Sequence, residues 1–293
     1  MSALSSALRR VALVGAATLA TTLVPAGVAG AVTKGPDPSA AEVAKVTGSY
    51  AVTETKVDDA ASTKFGPATV YAPKGAPGET FGAIAISPGF LAEQWTLTWL
   101  AQRLSSFGFV TIVFTPNSIF DQPDARSRAL LDALEYLKTQ STAKALIDPS
   151  RLGVLGHSMG GGGALEAASR DLTLKAAVAL LPWDLTKNFS GVRTPTLVIG
   201  AKPDFIAPVA SHAKPFYASL STSLPRAYLE LNIGHAQPAL VPTTEVSRAA
   251  VNWFKRFLDD DPRYTKTLCP AVAGVNASTV TAYQSSCGQG PLS

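Results

Sequence analysis

Residues 151–165 read RLGVLGHSMGGGGAL, a short apolar run followed by a serine and then four glycines. Residues 156–160 (GHSMG) fit Gly-X-Ser-X-Gly, a tight strand-to-helix turn that lifts a serine hydroxyl above a sheet. Such a turn strains the serine backbone and brings strand and helix close together, so small residues are needed around it. We therefore predict a strand before this turn, a helix after it and Ser158 as a nucleophile.

The same glycines suit one alternative, a turn that binds a phosphate at a helix N-terminus. Neither a Gly-X-Gly-X-X-Gly pattern nor a Walker pattern is present. The sequence therefore favours the nucleophile.

Apolar segments with strand character alternate with amphipathic helical segments along the chain. Strands are predicted at residues 81–86, 110–114, 152–155, 175–181, 196–200 and 227–231, and helices near 97–107, 130–137, 209–220 and 246–257. Residues 49–57 and 68–72 are predicted as antiparallel edge strands. The alternation predicts an α/β fold with a mostly parallel sheet covered by helices on both faces, in a single domain over residues 32–293.

Residues 1–31 have the pattern of a signal peptide. Arg9 and Arg10 precede an apolar run at 11–23, and residues 29–31 (AGA) form a small-X-small cleavage site. A membrane anchor is the alternative, but the run is short and a proline and a glycine interrupt its end. The two arginines also occur in twin-arginine signals, which the neighbouring residues fit poorly. We expect a secreted, extracellular protein.

The composition limits the classes of partner. Of the 293 residues 46% are hydrophobic, which argues against disorder. The formal charge of +4 falls to +2 without residues 1–31, and no Lys/Arg run follows. Nucleic-acid and membrane binding are therefore not expected. We expect a monomer.

A serine hydroxyl needs a base within hydrogen-bond reach and an acid that orients the base. In this architecture the chain order is serine, acid, histidine. His157 adjoins the serine and should point away from its Oγ, and His212 falls within the predicted helix 209–220. His235 follows the predicted strand 227–231, where the base belongs, so we predict His235 as the base.

Three aspartates between the serine and His235 are candidates for the acid. Asp204 follows the predicted strand 196–200 at its carboxyl end, the edge that carries sites in open α/β sheets. Asp184 also follows a strand end and is the runner-up, whereas Asp171 falls on a surface loop. An ordinary surface role is the alternative for Asp184 and Asp204.

The oxyanion of an acyl-transfer intermediate needs preorganised N–H donors. The donors in this architecture are the N–H after the nucleophile, Met159, and one from the loop after the strand 81–86, where Phe90 lies.

The spacing leaves no room for a cap domain or a long lid. Asp204 follows Ser158 by 46 residues and precedes His235 by 31, and predicted strands and helices fill both intervals. The site should be open and suited to bulky or polymeric substrates. Phe90 and Trp183 are candidates for its apolar walls, with core packing as the alternative for Trp183.

The two cysteines, Cys269 and Cys287, lie near the C-terminus. An even count in an exported chain favours a disulfide, with two free thiols as the alternative. The crosslink would stabilise the fold by about 3 kcal/mol in the chain-entropy model. Neither cysteine has metal-ligand neighbours, and no metal site is expected.

Several short motifs lie along the mature chain, at residues 85–90 (AISPGF), 156–163 (GHSMGGGG), 182–183 (PW), 204–209 (DFIAPV), 212–217 (HAKPFY) and 268–270 (LCP). With these motifs the chain resembles the bacterial cutinases and related polyester hydrolases, the group that includes PET-degrading enzymes.

The resemblance implies an α/β-hydrolase fold without a lid domain, and hydrolysis of polymeric or bulky esters with no cofactor. It implies a catalytic triad of Ser158, Asp204 and His235. It implies that the backbone N–H groups of Phe90 and Met159 are the oxyanion donors. It also implies that the substrate groove is lined by Phe90, Trp183 and Ile206.

The chain also departs from the family pattern. Phe90 replaces the usual Tyr, and Asp184 stands where many members have His. The loop at residues 234–239 (GHAQPA) differs and its approach is one residue shorter. Two alternatives therefore stay open: a carboxylesterase or lipase for small esters without polymer activity, and a binding protein on a hydrolase fold that has lost catalysis.

Overall fold

A nine-stranded sheet forms the centre of the computed structural model, which describes residues 31–269 and 278–286. Its strands are β1 Val52–Val57, β2 Ala68–Pro73, β3 Phe81–Ser87, β4 Phe109–Phe114, β5 Ile147–His157, β6 Ala176–Leu180, β7 Thr196–Ala201, β8 Arg226–Leu231 and β9 Val280–Ser285. They lie in the order β1-β2-β4-β3-β5-β6-β7-β8-β9. The predicted signal peptide, apart from Ala31, and Cys287 fall outside the described residues.

The helices are α1 Ala40–Ala44, α2 Thr98–Ser106, α3 Pro123–Thr139, α4 Met159–Arg170, α5 Ala213–Ser219, α6 Gln237–Leu240, α7 Thr244–Phe257 and α8 Thr265–Leu268. Apolar side chains of α3, α4 and α5 pack on one face of the sheet, and those of α2 and α7 pack on the other. The prediction of helices on both faces is confirmed. Each fully buried Leu or Phe in these two layers contributes about 1.5–3 kcal/mol.

The strands from β3 to β8 pair in parallel, and β1, β2 and β9 pair antiparallel. The prediction of a mostly parallel sheet is confirmed. Two details differ from the sequence analysis. The second predicted edge strand is an interior strand, because β2 pairs with both β1 and β4. The edge strand β9, which was not predicted, pairs with β8.

The parallel strands bring their carboxyl ends to one edge of the sheet. At this edge Phe90 follows β3, Ser158 follows β5 and Trp183 follows β6. Asp204 follows β7 and His235 follows β8. Ligand sites in open α/β sheets lie at this edge. Among the described residues, no helix combines the length and the apolarity needed to cross a membrane.

Candidate active site

Ser158 occupies the turn between β5 and α4 with φ 55° and ψ −120°. A non-glycine residue in this region costs about 1–3 kcal/mol and persists only when its surroundings hold it. Its N–H donates to the carbonyl of Leu180 at 2.9 Å, and its carbonyl accepts from Gly162 at 3.0 Å and Trp183 at 2.9 Å. The strained turn is therefore fixed by bonds from α4 and from the end of β6.

Glycines make this turn possible, as the sequence predicted. A Cβ on Gly156 would lie 1.9 Å from the carbonyl oxygen of Gly160, and a Cβ on Gly160 would lie 2.3 Å from that of Ser87. Backbone atoms cannot move aside at such distances. A larger residue at position 156 would push α4 away from β5, and one at position 160 would push α4 away from the end of β3.

Ser158, His235 and Asp204 form one hydrogen-bonded chain of buried side chains. The Nε2 of His235 lies 2.9 Å from the Oγ of Ser158, and its Nδ1 lies 2.7 Å from the Oδ2 of Asp204. An ionised carboxylate only accepts, so Nδ1 carries the proton and Nε2 is free to accept from the serine hydroxyl. The structure brings together the three side chains that the sequence singled out.

The second carboxylate oxygen of Asp204 is also occupied. Its Oδ1 accepts from the backbone N–H of Ile206 at 2.9 Å and from that of Ala207 at 2.7 Å. Burial acts to raise the pKa of Asp204, but the hydrogen bonds from His235 and the two N–H groups outweigh it and hold the pKa below its usual range. The carboxylate is therefore ionised at neutral pH and held in one orientation.

The loop that carries Phe90 packs directly on Ser158. A Cβ on Gly89 would lie 3.0 Å from the Cβ of Ser158. The Phe90 ring is 44% exposed and meets the Phe120 ring edge-to-face, with centroids 5.8 Å apart. The backbone of this loop thus reaches Ser158 while the Phe90 ring is partly exposed to solvent.

Sequence reasoning missed Arg126, a fully buried side chain on α3. It donates to the carbonyls of Asp121 at 3.1 Å, Pro88 at 3.0 Å and Ile119 at 3.1 Å. Burial lowers the pKa of Arg126 to about 10, so it stays charged at neutral pH. Arg126 therefore fixes the loop before Phe90 to the start of α3.

Trp183 is half-buried and stacks on His212, with ring centroids 5.9 Å apart and planes 28° apart. The prediction that His212 lies inside a helix is wrong. The helix α5 begins one residue later, because His212 is its N-cap residue and has φ −128° and ψ −89°, outside the helical region. His212 also meets Phe216 edge-to-face at 5.8 Å, so it supports the Trp183 ring.

Ile206 is 60% exposed and the neighbouring Phe205 is 91% exposed. Both follow Asp204 on the loop after β7, so apolar side chains border the site on this side.

Asp184, the runner-up for the acid, does not contact His235. Its Oδ1 accepts from the N–H of Thr186 at 2.8 Å, whereas its Oδ2 is buried without a hydrogen-bond partner among the described residues. The carboxylate lies against α4, where a Cβ on Gly162 would meet the Oδ2 at 2.8 Å. Asp204, rather than Asp184, is the carboxylate on His235.

His157 lies beside the base, with the two imidazole centroids 5.1 Å apart. Burial, followed by the neighbouring His235, lowers the pKa of His157 to about 4. This ring is therefore neutral at neutral pH. Across residues 31–269 and 278–286, no group of three or more His, Cys, Asp or Glu side chains could hold a metal ion.

A parallel sheet with a strained serine after a strand, hydrogen-bonded to a histidine and an aspartate from later strand ends, defines an α/β-hydrolase. A family model described as PETase, PET hydrolase-like, matches residues 26–288. The chain belongs to this family and is a carboxylic ester hydrolase. The resemblance seen in the sequence is confirmed.

Curated relatives agree with this assignment. The chain is 47% identical over 258 residues to a bis(hydroxyethyl) terephthalate hydrolase of Streptomyces coelicolor, covering 88% of this chain and 82% of that protein. It is 44% identical over 278 residues to cutinase cut1 of Thermobifida fusca, covering 94% and 86%. It is also 44% identical over 256 residues to cutinase 2 of Thermobifida cellulosilytica, covering 87% and 97%.

Proposed function

We propose that this protein is a secreted serine hydrolase that cleaves the esters of aliphatic or aromatic polyesters and cutin-like polymers. The observation that carries the proposal is the chain of hydrogen bonds from Ser158 through His235 to Asp204. The relatives named as cutinases and as a bis(hydroxyethyl) terephthalate hydrolase support the substrate class.

In the first half-reaction the Oγ of Ser158 attacks the ester carbonyl carbon while Nε2 of His235 takes its proton. The Asp204 carboxylate stabilises the imidazolium that forms. As the tetrahedral intermediate collapses, the C–O bond to the alcohol breaks, and His235 returns the proton to the leaving oxygen. The product is an acyl-enzyme on Ser158 and a free alcohol.

In the second half-reaction water attacks the acyl carbonyl as His235 takes one of its protons. Collapse of this intermediate breaks the bond to Ser158, and the proton on His235 returns to Oγ. The carboxylic acid is released and the starting state is restored. Apart from the ester and one water molecule, these steps use only groups of this chain.

The backbone N–H groups of Met159 and Phe90 stabilise the oxyanion in both intermediates. Met159 is the first residue of α4, so its N–H has no intrahelical partner and lies at the positive end of the helix dipole. Gly89 lies against Ser158, and Arg126 holds the carbonyl of Pro88, so this loop is preorganised. Removing one such donor typically costs about 10²–10³-fold in kcat.

The rim of the site suits a large apolar substrate. Phe90, Phe205 and Ile206 expose 44%, 91% and 60% of their surface. A polymer surface would cover apolar side chains that otherwise face water, at roughly 25 cal/mol per Å². Trp183, held by His212, offers a flat wall for an aromatic or alkyl segment.

Turnover of p-nitrophenyl butyrate by the wild type and by Ser158→Ala tests the nucleophile. We expect the variant to lose activity by about 10⁴-fold or more, and equal rates would overturn the assignment. A fluorophosphonate probe should label the wild type but not the variant. Failure to label the wild type would revive a binding protein on an inactive hydrolase fold.

The second candidate function is hydrolysis of small soluble esters without polymer activity. It is favoured by the relative named as a bis(hydroxyethyl) terephthalate hydrolase and by the short α6 next to His235, in the loop where the chain departs from the family. Product release from a polyester film, compared with soluble esters at equal enzyme concentration, separates the two functions. Turnover of soluble esters with no release from film would leave only the second.

Secretion, the disulfide and the monomeric state are also proposals. The mature protein recovered from culture medium should begin near Val32. Its intact mass should rise by about 2 Da on reduction if Cys269 and Cys287 are paired. Light scattering on the same sample should give the mass of one chain.

A further inference from the structure

A second cavity of about 640 Å³ lies between α2, the start of α7 and residues 46–52. Its volume falls within the range of about 300–1,000 Å³ that is usual for small-molecule sites. Apolar side chains of Tyr50, Val52 and Trp99 form part of its wall. None of the residues that line it belongs to the ester-hydrolysing site, so this cavity has no role in the mechanism above.

Arg103 on α2 lines this cavity, and its charge has no acidic partner among the described residues. The side chain is only 7% exposed. Its Nη2 donates to the carbonyl of Val43 at 2.9 Å, whereas its Nε is buried and makes no hydrogen bond. Burial, followed by the positive charge of Arg248, lowers the pKa of Arg103 to about 10, so it remains protonated at neutral pH. A buried cation without a counter-charge is costly.

The N-terminus of α7 faces the same cavity through Thr243, Thr244 and Ser247. This 14-residue helix has no side-chain cap: the N-cap residue is Thr243, and its hydroxyl donates back to the carbonyl of Val241 at 3.3 Å. The first N–H groups of a helix lack intrahelical partners and carry partial positive charge, which favours an anion there. Two independent positive features therefore face one cavity.

We propose that this cavity binds a carboxylate attached to an aromatic or short alkyl body. The carboxylate lies between Arg103 and the first turn of α7, and the apolar body lies against Tyr50, Val52 and Trp99. A guanidinium donates charge-assisted hydrogen bonds to a carboxylate, and the neighbouring apolar wall favours such a ligand over a bare inorganic anion. Ester hydrolysis releases acids of this class, so the enzyme meets such ligands as it works.

Titration calorimetry of the mature protein with 4-butylbenzoate tests the proposal. We expect one site whose affinity for the neutral 4-butylbenzamide is about tenfold weaker, because the amide lacks the charge that Arg103 attracts. Inorganic phosphate should also bind more weakly, because it lacks the apolar body. Phosphate binding as tight as that of 4-butylbenzoate would overturn the assigned ligand class.

Gln102→Glu is the informative variant. Gln102 is exposed and lines the cavity, and its side chain makes no hydrogen bond to a described residue, so the substitution adds a negative charge with almost no change in size. We expect affinity for 4-butylbenzoate to fall about tenfold. Gln140→Glu is the matched control, because it makes the same change at the exposed end of α3 outside the cavity and should leave the affinity unchanged.

Equal affinity of the wild type and Gln102→Glu would overturn the proposal. So would a crystal structure of the complex with the probe bound only beside Ser158. Neither outcome bears on ester hydrolysis, which Ser158→Ala tests separately. The proposal is supported if Gln102→Glu alone weakens binding and the probe's carboxylate lies beside Arg103.

Discussion

The Nε2 of His157 lies 2.9 Å from the backbone carbonyl oxygen of His235. A carbonyl oxygen only accepts, so this nitrogen carries the proton and His157 is the donor. The ring is buried and neutral at neutral pH, because its pKa is lowered to about 4. His157, the residue before Ser158, thus holds the backbone of His235.

Replacing His157 tests whether this bond positions His235. We expect His157→Ala to lower kcat about fivefold while KM changes less, because one hydrogen bond contributes about 1 kcal/mol and His235 would be held less firmly beside Ser158. His157→Gln keeps an N–H donor and should recover most of the loss. Steady-state kinetics with p-nitrophenyl butyrate measure both variants. Equal losses in the two would show that the ring's packing, not its hydrogen bond, matters.

Much of the site could be predicted because the chemistry is tied to chain order. Ser158, Asp204 and His235 each follow an apolar strand, and parallel strands bring such positions to one edge. Arg126 could not be found in this way. Its role depends on the carbonyl of Pro88, which is 38 positions away along the chain, and no local pattern marks a residue that bonds to backbone carbonyls.

Strand bounds were predicted well where both faces of a strand are buried and poorly elsewhere. Residues 280–285 (VTAYQS) form β9, a largely half-exposed edge strand with too few apolar residues to be recognised. The strand β5 begins at Ile147 and includes Pro149, whereas the predicted strand begins at residue 152. The pairing of β3 with β5 shifts between Phe81 and Ala83, and this irregularity accommodates the proline.

Asp184→Asn should stabilise the protein at neutral pH. The Oδ2 of Asp184 is buried without a partner, and burial raises the pKa of this carboxyl. The pKa of Asp184 is higher in the folded state than in the unfolded state, so the free energy of unfolding decreases as pH rises from the unfolded-state pKa through the folded-state pKa. At pH 7 the carboxylate is ionised, and its burial therefore destabilises the fold. The variant removes it, for a gain of about 1 kcal/mol or about 2–4 °C in Tm.

Scanning calorimetry at several pH values checks this expectation. The difference between Asp184→Asn and the wild type should disappear below the ordinary aspartate pKa of about 4, where both side chains are neutral. Asp132→Asn is the control, because Asp132 is half-buried on α3 and has no hydrogen-bond or ion-pair partner among the described residues. A gain that is the same at acidic and neutral pH would contradict the electrostatic cause.

Asp259→Asn should destabilise the fold strongly. The Asp259 carboxylate is fully buried and lies 2.7 Å from Nη1 of Arg151 and 2.8 Å from Nζ of Lys255. Removing its charge leaves the buried Lys255 without an acidic partner among the described residues and leaves Arg151 with Asp148 alone, and breaking a buried pair typically costs about 3–5 kcal/mol. Asp260→Asn at the adjacent position is the control. The Asp260 side chain is 65% exposed, so its ion pair with Arg256 should contribute less than about 1 kcal/mol. Urea unfolding of both variants decides the matter, and similar midpoints would contradict it.

Phe205→Ala should separate action on a polymer from action on a soluble ester. Phe205 is 91% exposed and follows Asp204 directly, so its ring borders the site without supporting the fold. A polyester film can cover this ring, whereas p-nitrophenyl butyrate is too small to need it. Burying an aromatic side chain contributes about 1.5–3 kcal/mol, so adsorption to film and release of soluble products should fall about tenfold while kcat/KM for the soluble ester stays near the wild-type value.

Leu172→Ala is the matched control, because Leu172 is 59% exposed but lies between α4 and β6, at the opposite edge of the sheet. A similar loss on film in both variants would show that adsorption depends on general surface apolarity, and an equal loss on the soluble ester in Phe205→Ala would place this ring in the chemistry of every substrate.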